Sequence, residues 1–259
     1  MNSVYEVLGI HNPPLIRSAE CERHGQYVSK CHMGNRWTCC PSCNAEAAAK
    51  ALAEDKTRER EAVLRAWQRR IGEAGIPERF HDRSLENFVA STEAQRRALA
   101  IAISYADGFD EILATGRCAL FIGKPGTGKT HLAVGIGLQI MRRDNRSALF
   151  TTVMRAIRRV KDTWRRDSAE SEIEAVAALV FPDLLILDEV GVQFGSDTEK
   201  LILFDVLNER YERRKPTLLL SNLAIGEVKS YLGERIFDRL REDGGEVVVF
   251  DWQSHRGKS

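Results

Sequence analysis

No apolar run in the 259-residue chain approaches the about eighteen residues that a membrane-spanning helix needs. The first residues, MNSVYEVLGIHNPPLI, lack the charged-then-apolar layout of a secretion signal, so the expected setting is the cytoplasm, with no membrane partner. An excess of one charge is missing too. Lys plus Arg number 38 against 37 Asp plus Glu, a net +1, so any nucleic-acid surface must be local rather than spread over the molecule. Internal repeats and low-complexity tracts are absent. Cysteine is nearly absent after residue 43, where only Cys118 occurs. What remains is an ordinary folded composition, 43% hydrophobic and 29% charged, which excludes a disordered tail protein.

The other five cysteines, Cys21, Cys31, Cys39, Cys40 and Cys43, crowd into residues 1–43, a stretch of Pro, Gly, Cys and His with little periodicity. So short a segment needs a cross-link, and in a reducing compartment clustered cysteines point to metal rather than disulfides. Cys21-x-x-His24, a fifteen-residue loop and Cys40-x-x-Cys43 have the spacing of a tetrahedral zinc site. Cys31, His32 and Cys39 are then spare, with Cys39 the nearest competitor to Cys40, and Pro41 shapes the second turn. The plainer alternative is a set of reduced free thiols.

From Asn44 to about Ile71 the chain has no Gly or Pro and is rich in Ala, Glu, Arg, Lys and Leu, which predicts one long, mostly solvated helix. Such a helix either connects modules or docks a partner. Gly72 to Arg79, with two glycines and a proline, marks a boundary. The expected domains are a zinc module over 1–43, a helical linker over 44–75 and a larger domain over 76–259. In the last, a helix is expected from Ser91 to about Ala114, capped by Ser91 or Thr92. Strands are then expected at Cys118–Ile122, Ala148–Thr152, Leu184–Leu187, Thr217–Leu220 and Glu246–Phe250, separated by helices. This is the α/β pattern of a five-stranded, mostly parallel sheet.

Gly123-Lys-Pro125-Gly126-Thr127-Gly128-Lys129-Thr130 fits G-x-x-x-x-G-K-[ST] and lies between an apolar strand and a helical pattern, the context a phosphate-binding loop requires. There the glycines let backbone N–H groups cradle phosphate oxygens, Lys129 reaches the β- and γ-phosphates of ATP, and Thr130 ligates Mg2+. Leu184-Leu-Ile-Leu-Asp188-Glu189 ends a buried strand in two acids. Asp188 holds magnesium through its water shell, and Glu189 orients and deprotonates the attacking water. Alone, the pair also fits a strand ending in a solvated turn. Asn222, after Leu218–Ser221, reaches the γ-phosphate or the water, or is an ordinary turn residue.

These residues resemble the DnaC-like helicase loaders of the AAA+ ATPases, with the IstB transposition ATPases as close relatives. The resemblance spans residues 76–256 and rests on IPERF at 76–80, LENF at 85–88, GKPGTGKTHLA at 123–133 and KDTW at 161–164. It continues through LLILDEVGVQ at 184–193, LLSN at 219–222, GERIFDRL at 233–240 and FDWQSHR at 250–256. It implies a P-loop NTPase fold in which His131 belongs to the nucleotide-binding motif and Asn222 is the sensor-1 residue. Arg239 becomes an arginine finger acting on a neighbouring subunit, with Arg235 second in line, and Arg256 the sensor-2 arginine.

From Arg142 to Arg166 nine basic residues face only Asp144 and Asp162. Cations with Trp164 suit a groove that tracks single-stranded backbone and stacks a base, or a solvated basic helix with the tryptophan in the core. The resemblance favours single-stranded DNA at Lys161 and Trp164, with Ser196 and Thr198 in a second contact loop. It implies a loader that grips a replicative DnaB-type helicase through its zinc module and helix, and self-association through arginine-finger interfaces. The alternative is a transposition helper that binds duplex DNA.

Overall fold

The computed structural model describes residues 15–32, 36–192 and 196–255, in two compact units, Met1–Trp67 and Gln68–Ser259. In the first unit, β1 (Ile16–Cys21) and β2 (Gly25–His32) form an antiparallel hairpin in register from Ile16 opposite Lys30 to Cys21 opposite Gly25. The two-residue β3 (Arg36–Trp37) pairs with the far edge of β2. The sequence pattern had indicated no regular structure here. Its strands mix polar and apolar residues on both faces, so they carry no period-two alternation to read.

Helix α1 (Pro41–Glu73) begins three residues earlier than expected, with the Asn44 amide donating to the Cys40 carbonyl. Proline is well placed at a first helical position, where its missing N–H costs nothing. As far as Trp67 nearly every side chain of α1 is exposed, including Leu52, Val63 and Leu64. Among the described residues of this unit only Ser29 and Cys40 are buried. No described helix is long and apolar enough to cross a membrane.

The second unit begins in the last turns of α1, where Ile71, Ala74 and Ile76 are buried. Thr92 caps α2 (Glu93–Asp107) in a reciprocal box with Gln95. The single helix expected to Ala114 is in fact two. The Gly108 amide closes α2 on the Ser104 carbonyl, and α3 (Phe109–Thr115) restarts at once to bury Phe109 and Ile112. Strands and helices then alternate: β4 (Ala119–Gly123), α4 (Lys129–Arg143), β5 (Ala148–Thr152), α5 (Val153–Asp162), α6 (Glu172–Val180) and β6 (Leu184–Asp188). They continue as α7 (Asp197–Glu212), β7 (Thr217–Ser221), α8 (Ile225–Leu232), α9 (Glu234–Arg241) and β8 (Glu246–Phe250).

All five strands of this sheet run parallel in the order β5-β6-β7-β4-β8. Helices cover both faces, so the strands are continuous apolar runs, and Leu184–Ile186 and Leu218–Leu220 are fully buried. The interior strand β4 is followed in sequence by β5 at the sheet edge, so the chain reverses its winding beside β4. Ligands of open parallel sheets collect at the carboxyl ends of such strands.

One buried cation stands apart from this apolar core. Arg210, on α7, is 0% exposed. Its Nε donates to Thr217 Oγ1, Nη1 to the carbonyls of Leu179, Val180 and Pro182, and Nη2 to that of Pro216. Burial pulls its pKa down to about 10, which still leaves it protonated at neutral pH. It thereby satisfies the carbonyl groups where α6 ends and where β7 begins.

Candidate nucleotide site and metal centre

The loop from Gly123 to Gly128 joins the end of β4 to the start of α4. Gly123 (φ 127°) and Gly128 (φ 100°) adopt conformations that side chains resist. A Cβ at Gly128 would lie 2.6 Å from the Phe88 ring, and one at Gly123 would lie 2.2 Å from the Phe250 carbonyl oxygen. Both glycines are therefore required by the packing. Lys129 is buried, with Nζ donating to the carbonyls of Gly123 and Lys124, each at 2.7 Å.

Thr130 Oγ1 donates to Asp188 Oδ2 at 2.9 Å, joining the start of α4 to the end of β6. The other carboxylate oxygen accepts the Glu189 amide at 2.7 Å, and Glu189 itself sits at φ 61°, a left-handed conformation costly for a side-chain-bearing residue. Ser221 Oγ donates to the Val190 carbonyl at 2.6 Å, tying the acidic turn to the end of β7, where Asn222 follows. Pro125, Gly126, Gly128, Lys129, Thr130, His131, Asp188, Glu189 and Asn222 all line one cavity of about 340 Å3. The structure thus brings the loop, the acidic pair and Asn222 together. The Thr130 hydroxyl and the Asp188 carboxylate are hard oxygen donors, the kind that magnesium takes directly or through its bound water.

Thr127, fully buried, donates its hydroxyl to the Lys124 carbonyl, and its own carbonyl accepts Trp252 Nε1 at 2.9 Å. His131 Nε2 lies 2.9 Å from both the Ser84 carbonyl and Asn87 Oδ1, and its ring meets Phe88 edge-on. Burial, the largest influence, pushes its pKa below the usual histidine value of 6.5.

Several residues around this cavity had no role read from the sequence. Arg79, Phe80, Arg83 and His255 complete its wall. The His255 amide donates to the Gly126 carbonyl at 2.9 Å, and Trp252 stacks near Phe250, so the segment after β8 braces the loop from behind. The signal for Arg79, Phe80 and His255 lay in IPERF and FDWQSHR, of which only Arg256 had received a role, and Arg83 lies in neither motif. Arg256 lies outside the described residues.

Arg235 and Arg239 are one turn apart on α9, and neither lines the nucleotide cavity. Arg239 donates to Asn208 Oδ1, and its guanidinium lies 4.5 Å from the centre of the Tyr211 ring. Arg235 is more exposed and lies over Phe204.

The basic run from Arg142 to Arg166 does not form one surface. Arg143 and Arg146 turn to Asp107 and Asp110, whereas Arg159 pairs with Glu170 and Lys161 with Glu199 at 3.2 Å. On α5 the residues Val153, Ala156, Ile157 and Val160 are buried while Arg155, Arg158 and Arg159 face out. Trp164 is 51% exposed, with Nε1 donating to Glu172, so the core position weighed for it does not hold. Arg165 and Arg166 beside it are exposed. Ser196 caps α7 through the Glu199 amide, and Thr198 lies in the first turn of that helix.

In the first unit, Cys21, His24, Cys40 and Cys43 place their ligand atoms within 4.8 Å of one another. Three sulfurs surround His24 Nδ1 at 3.8, 3.7 and 3.3 Å, from Cys21, Cys40 and Cys43 in turn. A zinc tetrahedron with ordinary Zn–S and Zn–N bonds has edges of about 3.5–3.8 Å, so the four fit that metal. The Arg23 amide first, then His24 and Cys43, lower the Cys21 thiol to about 6, while its hydrogen bond to Cys21 raises Cys43 to about 11. The second pair is not on a free turn as the spacing implied. Cys40 precedes α1, and Cys43 lies in its first turn.

Comparison with known proteins places this geometry. Residues 59–258 match the family described as IstB-like ATP binding protein. The chain is 37% identical over 200 residues to the replicative helicase loader DnaC of Escherichia coli K12, covering 77% of this chain and 80% of that protein. It is 35% identical over 204 residues to the same-named protein of Buchnera aphidicola subsp. Acyrthosiphon pisum, covering 79% and 80%. A crystal structure of the DnaC helicase loader superposes with a TM-score of 0.60 at 23% identity, covering 68% of this chain and 100% of that one. The chain belongs to the IstB-like ATP-binding proteins, in the DnaC-like helicase-loader group of the AAA+ ATPases.

Proposed function

We propose that this chain is an ATP-hydrolysing loader of a replicative DnaB-type helicase in replication initiation. The observation that carries the reading is the convergence of the phosphate loop, the acidic pair and Asn222 on one cavity, in a chain matched over most of its length to DnaC. The backbone amides of Gly126, Gly128 and Lys129 and the Lys129 ammonium bind the phosphates of ATP, for which Lys129 exchanges its contacts to the loop carbonyls. Thr130 and Asp188 would hold Mg2+, which when bound neutralises charge on the β- and γ-phosphates. Glu189 takes the proton of the attacking water, and Asn222 orients that water. Because Arg239 lies outside its own cavity, it acts on the site of a neighbouring copy, placing positive charge where the transition state spreads negative charge.

The exposed Trp164 with Arg165, Arg166 and Lys161 forms a contact surface for single-stranded DNA, which Ser196 borders through α7. In this reading residues 1–43 form a zinc module and 44–75 a helix that together grip the helicase, and 76–259 form the ATPase domain. Cys21, His24, Cys40 and Cys43 would hold Zn2+, whose role is structural because all four positions come from the protein.

Light scattering of the chain mixed with a bacterial replicative helicase, with and without ATP, tests the reading. A complex of defined mass is expected. Free components under both conditions would overturn it. A second reading, from the resemblance to the IstB ATPases, is a transposition helper, for which duplex DNA would retain the chain and helicase would not.

A further inference from the structure

We propose that Glu46, held by Arg23, is the positioning residue that makes His24 a zinc ligand through Nδ1. The inference rests on the zinc reading above and concerns a residue outside the four ligands. A histidine bound through Nδ1 must carry its proton on Nε2, and that proton needs an acceptor. In this chain Nδ1 faces the three sulfurs, and Nε2 lies 2.9 Å from Glu46 Oε1. The second Glu46 oxygen accepts Arg23 Nη2 at 2.8 Å, so both carboxylate oxygens are engaged by the turn that carries His24.

Placement strengthens the argument. Cys21 ends β1 and His24 lies in the turn before β2, whereas Cys40 and Cys43 stand at the start of α1. Glu46 is three residues beyond Cys43, which puts the two on one helix face. One carboxylate therefore crosses from the helix to the turn at the point where the metal makes the same crossing. Glu46 and Arg23 are 48% and 70% exposed, so their ion pair adds little attraction of its own. What Glu46 supplies is the tautomer and the ring orientation.

The test uses the full chain, loaded with zinc and titrated against a chromophoric chelator. Glu46→Ala is expected to weaken zinc binding about 10- to 100-fold, and Glu46→Gln less, because its amide oxygen still accepts. Glu54→Ala, an exposed acid farther along α1, serves as the control and keeps the wild-type affinity. With cobalt in place of zinc, the variants retain the three-thiolate spectrum, which separates a loss of affinity from a loss of fold. Long-range nitrogen–proton NMR is expected to show His24 protonated at Nε2 in the zinc-loaded chain. Unchanged affinity in Glu46→Ala, or zinc on Nε2, overturns the inference while leaving the zinc site intact. Failure of the wild-type chain to bind zinc at all overturns the zinc reading itself.

Discussion

The two units are built on opposite principles. From residue 68 onward the chain buries whole strands, with Leu184, Leu185, Ile186, Leu218, Leu219 and Leu220 sealed between helices. From 15 to 67 the described residues bury only Ser29 and Cys40, and the hairpin meets the first turn of α1 at a cluster of thiols and an imidazole. Burial of apolar area holds the first of these together. The other cannot draw on that source, and in the reading proposed above its stability comes from metal bonds.

Stripping zinc breaks the comparison most completely. Amides of β1, β2 and the first turns of α1 are expected to lose hydrogen-exchange protection entirely, while those of β4 to β8 keep theirs. Protection lost in both units together would refute the division. Glu189→Gln sharpens it from the other side. It should lower ATP turnover about 10²- to 10⁴-fold while ATP affinity and zinc content stay at wild-type values. A turnover near wild type would remove Glu189 from the role of base.

Next in size is Arg210→Ala, which leaves carbonyls at the end of α6 and the start of β7 without a donor. It should cost the ATPase unit about 3 kcal/mol in denaturant unfolding, with no change in zinc affinity. A cost below about 1 kcal/mol would mean that water replaces the guanidinium.

The smallest effect concerns His131. Its pKa in the folded chain lies below 6.5, so the unfolded chain binds the proton more readily and stability falls as the pH drops through that value. His131→Gln should flatten this acid-side slope in thermal unfolding between pH 5 and 7, at roughly unchanged stability near neutrality. An identical slope in both proteins would assign the acid sensitivity to other groups.

The same contrast governs what could be read in advance. The five parallel strands were legible to within a residue at either end, because a strand buried on both faces is a continuous apolar run between turn signals. The nucleotide loop was legible because its glycines and lysine recur at fixed spacing. The clustering of Cys21, His24, Cys40 and Cys43 was legible from spacing alone, but the hairpin that carries two of them was not, since its strands mix polar and apolar residues on both faces.

Arg210 looked like any helix arginine, and nothing in its neighbours marks it as buried. The basic run from Arg142 to Arg166 misled in the opposite direction. Adjacent in sequence, its members are divided by the turn between α4 and β5, so Arg143 and Arg146 meet the acids of α2 and α3 while Arg159 and Lys161 meet others. Glu46 escaped notice because a single acid in a charged helix has no pattern; only the fold brings it to His24.

The central claim is that the metal-held unit grips the helicase and the sheet-held unit turns over ATP. Cys40→Ser in the full chain tests it most directly, with the mass of the helicase complex measured by light scattering beside ATP affinity. The account predicts that the complex disappears and ATP affinity stays within about twofold of wild type, a difference of under 0.5 kcal/mol. A complex of unchanged mass, or loss of ATP binding along with it, would contradict the division of labour.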